Sequence, residues 1–252
     1  MMTQLKTRLL TICLLCLLPV TASAEDARQL IINAIDHFRG LTSYSEASMT
    51  IHRPDWQRSM DMKIWTQGLD RSLVRITAPK KDMGNGSLLI DDDMWSYTPK
   101  INKVIKIPGS MAHQSWMGSD FSNNDVARAD DLIDKYSHRI VETRQQNGHS
   151  VYVIESVPHE DAPVVWGKEL ITVRDDHVLL EHKFFDQDNI LVKQLITREI
   201  KLIAGKQLAT IERMQKIDAD DEWTEFRLKH IDFDVKVSDT TFTLSNLRNP
   251  RF

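Results

Sequence analysis

The amino-acid sequence predicts a mainly β protein of the α+β class, in which a strongly curved antiparallel sheet of about 11–12 strands forms an incomplete β-barrel with a helical lid. Three observations predict this fold. Apolar residues alternate with polar ones in short runs over most of the chain after residue 40. Turn-forming residues separate these runs, and few segments have helical spacing. So many strands are expected to curl or close rather than stay flat.

The helical part of the prediction depends on two segments. One apolar stripe at helical spacing predicts an amphipathic helix over residues 25–40, which Gly40 ends. The stripe consists of Leu30, Ile31, Ala34, Ile35 and Phe38. A second, shorter pattern predicts a helix from Asp125 to Lys135. These helices are the candidates to cover the sheet.

The clearest strand is predicted at residues 59–65, where Met60 and Met62 alternate with charged neighbours. Similar runs occupy residues 46–53, 71–78, 86–91, 94–98, 101–107, 136–145, 150–157, 168–174, 178–186, 190–200, 207–217 and 222–233. Asn147-Gly148 separates two of them and predicts a type I′ hairpin, in which both central residues have positive φ. Neighbouring strands should therefore be antiparallel.

The first 24 residues have the pattern of a cleavable secretory signal peptide. Lys6 and Arg8 precede an apolar run from Leu9 to Val20, and Ala22-Ser23-Ala24 forms a small-residue cleavage site. The apolar run is too short to span a bilayer core of roughly 30 Å. We therefore expect cleavage after Ala24, export to the periplasm, and one domain over residues 25–252.

Composition excludes several function classes. Both cysteines, Cys13 and Cys16, lie in the predicted signal peptide, so the mature chain would have no disulfide, thiolate metal site or cysteine nucleophile. The net charge of −4 becomes −6 once Lys6 and Arg8 are removed. With no basic block, the sequence predicts no nucleic-acid binding.

The usual catalytic and metal-binding motifs are missing from the sequence, so it predicts no catalytic residue, no cofactor and no metal. His177 and His182 are five residues apart on a predicted strand, and we expect them on opposite faces rather than around one metal. Acidic clusters at residues 91–93, 175–176 and 218–222 lack calcium-loop spacing and are interpreted as solvated turns.

The most informative pattern is apolar. Methionines crowd the first half of the mature chain, and methionine adapts to irregular apolar ligands. Ordinary core packing remains the alternative for each of them. The predicted hydrophobic ligand cavity is lined by Met49, Ile51, Met60, Met62, Ile64, Val74, Ile76, Trp95 and Tyr97. The predicted lid and cavity mouth contain Leu30, Ile31, Trp116, Met117 and Phe121.

Several segments together resemble the LolA-like outer-membrane lipoprotein-sorting family, over nearly the whole mature chain. They are Ala78-Pro79-Lys80-Lys81-Asp82-Met83-Gly84, Asp93-Met94-Trp95-Ser96-Tyr97-Thr98-Pro99, Met117-Gly118-Ser119-Asp120-Phe121-Ser122 and Thr241-Phe242-Thr243-Leu244. The resemblance implies a periplasmic carrier that shields acyl chains of lipoproteins or other lipids on the way to the outer membrane. Its partners would be an inner-membrane transporter or exporter and an outer-membrane acceptor, and the carrier would be monomeric.

The resemblance also implies an arginine that holds the lid by hydrogen bonds, for which Arg53, Arg71 and Arg75 are the candidates. Two other functions remain open. The chain could be a lipid-sensing regulatory or interaction protein of the same fold, or a periplasmic hydrolase that uses Asp120 and Asp125.

Overall fold

The computed structural model describes residues 24–127 and 129–250, and the signal peptide predicted over residues 1–24 lies outside them except for Ala24. The described residues form one antiparallel sheet of thirteen strands that curves without closing into a barrel. The strands are β1 (Thr42–Arg53), β2 (Trp56–Gln67), β3 (Arg71–Ala78), β4 (Gly86–Ile90), β5 (Asp93–Thr98), β6 (Lys103–Ile107), β7 (Tyr136–Gln146), β8 (His149–Pro158), β9 (Lys168–Arg174), β10 (Leu179–Phe185), β11 (Leu191–Ile203), β12 (Lys206–Lys216) and β13 (Trp223–Phe233). The predicted fold class is confirmed. All thirteen alternating runs form strands, so the number of strands is slightly higher than the expected 11–12.

The strand order follows from two meanders, one formed by β1 to β6 and the other by β7 to β13. They join in the middle of the sheet, where β1 pairs with β13. This pairing leaves β6 and β7 as the two edge strands. The chain must therefore travel from one edge to the other between them. Residues 108–135 make that crossing, and we call them the lid segment.

Four α-helices lie among the described residues: α1 (Ala24–Arg39), α2 (Asn123–Ala127), α3 (Ala129–Asp134) and α4 (Leu244–Arg248). Short 3₁₀ turns occupy Pro99–Ile101, Gly109–Met111, Trp116–Gly118 and Asp239–Thr241. The predicted helix from Asp125 to Lys135 is present as two short helices, α2 and α3. No helix in the described ranges is long and apolar enough to cross a membrane.

Helix α1 confirms the amphipathic stripe that the sequence predicts over residues 25–40. Ala27 and Ile31 are buried against Ile154 and Ile171 of the sheet. The helix ends at Gly40, whose N–H donates to the Asp36 carbonyl at 2.8 Å and whose φ is +65°. This is the left-handed C-terminal cap that glycine favours. It turns the chain directly into β1.

The hairpin prediction at Asn147-Gly148 is also confirmed. Asn147 has φ of +52° and Gly148 has φ of +82°. Gln146 pairs with His149 across the turn, so β7 and β8 are connected by a two-residue loop. Positive φ at both central residues matches the right-handed twist of the flanking strands.

Alternation gives the sheet two different faces. On β1 every second residue from Ser43 to Ile51 is buried, and these residues define what we call the inner face. The inner face continues onto β2 through Met60 and Met62, which pair with Met49 and Ala47. The lid segment and α1 cover this face.

The opposite, outer face is covered in part by the C-terminal segment. Leu73 and Leu88 of neighbouring strands pack with Phe242 and Leu247. Arg75 secures α4 because one of its guanidinium nitrogens donates to the carbonyls of Asn246 at 2.7 Å and Leu247 at 3.1 Å. Strands β3 and β4 are therefore buried on both sides.

Candidate functional site

The lid segment is fastened to the inner face by a network around Asp120. Arg53, at the end of β1, donates to both carboxylate oxygens of Asp120, at 2.9 and 3.1 Å. The hydroxyl of Thr224 on β13 donates to the same carboxylate at 2.6 Å. The Asp120 side chain has no exposed surface, and that of Arg53 is 14% exposed. Of the three candidates for the lid-holding arginine, Arg53 is bonded to this segment, whereas Arg75 holds α4 and Arg71 is bonded to Gln67.

A second ion pair fastens the lid segment farther along. Lys193 of β11 pairs with Asp125 of α2, and both side chains are almost fully buried. The Lys193 ammonium also lies 5.1 Å from the centre of the Trp166 ring and 4.9 Å from that of Phe184. The two carboxylates of the hydrolase alternative, Asp120 and Asp125, are thus both engaged by cations.

Trp116 fills the space between the lid segment and one half of the inner face. Its indole N–H donates to the Ser87 hydroxyl at 2.9 Å. Its ring is buried in a cluster with the methionines and branched residues of β1 to β5. The Trp116 indole therefore packs against the surface that was predicted to line the ligand cavity.

The other half of the inner face is open. A cavity of about 370 Å³ lies between α1, the lid segment and strands on both sides of the β1–β13 pair. Its walls are mostly apolar, and a cavity of this size and composition is typical of small-ligand sites. The apolar lining residues are Ile31, Ala34, Ile35, Phe38, Ile64, Phe121, Leu132, Trp166, Ile171, Val178, Leu179, Phe184, Leu195, Leu208, Ala209, Met214, Phe226 and Ile231.

The structure brings three of the predicted site residues to this cavity: Ile31, Ile64 and Phe121. Most of the others form the packed cluster beside it. That cluster contains Met49, Ile51, Met60, Met62, Val74, Ile76 and Trp116, with Met117 partly buried against it. Leu30 packs in a third group under α1. The cluster adjoins the cavity through Ile64 and Phe121, which contact both.

Trp95 and Tyr97 lie on the outer face instead of the cavity side. They pack in the cluster of Leu88 and the C-terminal Leu247. The reason is the parity of β5, on which Met94 points to the inner face and its neighbour Trp95 to the outer one. Both faces are apolar here because both are covered.

Sequence reasoning missed the half of the cavity contributed by the second meander. Leu195 and Met214 pair across β11 and β12 and line the wall. The alternation of apolar and polar residues along these two strands was the sequence signal that could have identified them. The expectation that His177 and His182 lie on opposite faces was wrong, because His177 is in the turn before β10, with φ of +68°, and both rings line the cavity.

The cavity wall contains a buried polar cluster on its β7–β10 side. The Nε2 of His182 and a carboxylate oxygen of Glu169 are 2.5 Å apart. Burial, together with the negative charge of Glu169, holds the pKa of Tyr136 above its usual range. These groups satisfy one another, so they fix the wall without leaving a reactive group.

Glu212 of β12 is the other ionisable group of interest. It pairs with Phe226 of β13 and Thr197 of β11 in the sheet and faces the cavity. Burial raises the pKa of its carboxyl to about 7. An opposite charge or a hydrogen-bond donor would lower the pKa again.

Outside the cavity, His149, Asp175 and Asp176 place potential metal-ligand atoms within 4.8 Å of one another. Asp175 and Asp176 lie in the turn between β9 and β10, and His149 begins β8. All three already have partners, because His149 pairs with Asp175 at 2.7 Å and Asp176 pairs with Arg174. The cluster is consistent with the interpretation of this acidic segment as a solvated turn.

Comparison with known proteins supports the fold. Residues 68–249 match the sequence model of a family described as uncharacterized protein. A protein of the DUF1329 family from Desulfovibrio piger is 27% identical, with a TM-score of 0.80 over 89% of this chain and 98% of its own. A domain from Vibrio parahaemolyticus named for outer membrane lipoprotein sorting is 20% identical, with a TM-score of 0.78 over 90% of this chain and 100% of its own.

A LolA superfamily protein from Nitrosomonas europaea is 19% identical, with a TM-score of 0.72 over 86% of this chain and 97% of its own. No curated protein matches the sequence. The chain therefore has the LolA-like fold that its sequence motifs predicted.

Proposed function

Because the chain belongs to the family of uncharacterized proteins matched over residues 68–249 and has the LolA-like fold, we propose that it is a non-enzymatic periplasmic carrier of acyl chains. Its cargo would be a lipoprotein or another lipid, moved between membranes toward the outer membrane. An inner-membrane transporter or exporter would load it, and an outer-membrane acceptor would unload it.

The apolar cavity of about 370 Å³ is the observation that carries this proposal. A single acyl chain gains about 0.8 kcal/mol for each methylene that it buries, so binding needs little polar chemistry. The aliphatic and aromatic wall supplies such a surface. The packed methionine cluster contributes indirectly by holding the sheet and the lid segment in place.

The lid segment suggests how cargo would enter. It covers the cavity through Phe121 and Leu132 and is held by the Arg53–Asp120 and Lys193–Asp125 pairs. Separating these pairs would uncover the cavity, and a membrane partner could supply the energy. A carrier needs such a reversible cover because an exposed acyl chain is unfavourable in water.

The proposal is tested by placing a charge inside the cavity. Leu195→Glu puts a carboxylate on the wall, and Leu202→Glu is the matched control, since Leu202 lies on the same strand and is 68% exposed. We expect Leu195→Glu to weaken the uptake of diphenylhexatriene at least tenfold, whereas Leu202→Glu leaves it unchanged. Equal uptake by both variants would contradict the assignment of the cavity.

A second variant keeps the test valid if Leu195→Glu fails to fold. Ala34 lines the cavity from α1, and Ala34→Trp would fill part of the volume without adding a charge. We expect reduced probe uptake together with cooperative thermal unfolding. Undiminished uptake in a folded Ala34→Trp variant would also contradict the proposal.

A further inference from the structure

Among the described residues, four carboxylates line the cavity, and three of them have partners. Asp125 pairs with Lys193, Asp131 lies 2.5 Å from the Lys135 ammonium, and Glu169 is paired with His182. Glu212 differs. Within the ranges that the structure describes, its carboxyl forms no hydrogen bond and no ion pair.

The surroundings of Glu212 offer little compensation. Phe226 is opposite it on β13, and Met214 and Leu195 line the adjoining wall. A carboxyl in an apolar environment without a partner destabilises the folded protein, particularly when it is ionised. An apolar residue at this position would complete the wall at lower cost. Groups that violate packing rules in this way are concentrated at functional sites.

The sheet is irregular beside Glu212. Thr197 is the residue opposite Glu212 on β11. The pairing of β11 with β12 shifts register twice just after it, once on each side of Glu199. Such bulges change the direction of a side chain and are frequent next to binding sites. The irregularity and the missing partner are independent observations at one place.

We propose that Glu212 is a ligand-binding residue that pairs, inside the cavity, with a positively charged amine on an amphiphilic cargo. This inference rests on the proposed carrier function and narrows its cargo from any acyl chain to an amine-bearing amphiphile. The ammonium would supply the counter-charge that no described residue provides, and the apolar wall would bury the attached hydrocarbon. In a low-dielectric cavity an ion pair of this kind is stronger than in water.

The other charged groups of the wall do not compete for this role. The imidazole of His37 on α1 is 2.6 Å from the Gln207 carbonyl, and Arg39 donates to the Gly68 carbonyl at 3.1 Å. Lys193 is occupied by Asp125. A cationic headgroup would therefore find Glu212 as the carboxylate without a partner in the described part of the wall.

Competition between ligands of equal length tests the inference. Bound diphenylhexatriene is displaced from the protein by dodecylamine or by dodecanol at pH 8, and the ratio of the two inhibition constants is measured. We expect the wild-type protein to prefer dodecylamine at least tenfold. Glu212→Gln should bring the ratio close to one.

Glu142→Gln is the matched control, because Glu142 is exposed on the edge strand β7 and pairs with Arg144. It should keep the wild-type preference. An amine preference that survives Glu212→Gln, or a wild-type protein that binds both competitors equally, would overturn the inference and leave the carrier function standing. A wild-type protein that binds neither probe nor competitor would overturn the carrier function itself.

Discussion

The unpaired carboxyl of Glu212 predicts a specific dependence of stability on pH. In the unfolded chain this group ionises near its ordinary pKa of 4.5, whereas burial in the folded protein raises the pKa to about 7. The folded protein therefore binds more protons than the unfolded chain between these values. The contribution of Glu212 to stability is highest below pH 4.5 and is lost as the pH rises through about 7.

The size of the effect follows from the shift. One pKa unit corresponds to about 1.4 kcal/mol, so the difference between 4.5 and about 7 amounts to about 3 kcal/mol. Glu212→Gln removes the ionisation but keeps a side chain of similar shape. We expect it to match the wild-type protein near pH 4.5 and to be more stable by about 3 kcal/mol at pH 8. For a chain of this length that is roughly 6–12 °C in Tm.

Urea unfolding of both proteins at pH 4.5, 6, 7 and 8 measures this difference directly. Other groups titrate over the same range, including His138, whose pKa burial lowers, but they are common to both proteins and cancel. The exposed Glu142→Gln variant should follow the wild-type curve. A Glu212→Gln variant that is less stable than the wild-type protein at pH 8, or a stability difference that does not grow with pH, would contradict the predicted effect of this carboxyl.

Two further substitutions test the fold around the site. Asp120→Ala leaves Arg53 without its buried partner and should lower the free energy of unfolding by about 3 kcal/mol. It should also speed the exchange of bound probe. A loss of stability below about 1 kcal/mol would mean that this pair does not hold the lid segment. Gly40→Ala should cost about 1–2 kcal/mol, because φ is +65° and the new Cβ would lie 2.8 Å from Phe233. Gly205→Ala, also at positive φ but with nothing within 4 Å of the added Cβ, should cost less, and equal losses would contradict the steric part of that argument.

The strands and the first helix were predictable because their signals are local. The alternation of apolar and polar residues over 59–65 arises because one face of the strand is solvent-exposed and the other is buried. The Asn147-Gly148 turn depends only on the φ angles of its own two residues. The stripe of α1 likewise needs just one contacting surface. In each case neighbouring residues in the sequence contain the whole signal.

The position of the cavity was less predictable because it depends on what covers each half of the inner face. Met49 and Met62 have the composition of a flexible ligand wall, but Trp116 from a distant segment packs onto them. The face on which Trp95 lies was equally hidden, since the C-terminal segment makes the outer side of β5 apolar too. Alternation shows that two faces exist and does not show which one surrounds a cavity.

The proposed carrier function is checked by native mass spectrometry of the protein, purified gently from the cells that produce it. We expect a species heavier than the polypeptide by one amphiphile, whose release on denaturation restores the polypeptide mass. The extracted molecule should contain a hydrocarbon chain. A protein that carries nothing and that also fails to bind diphenylhexatriene would contradict the account of the cavity as a carrier site.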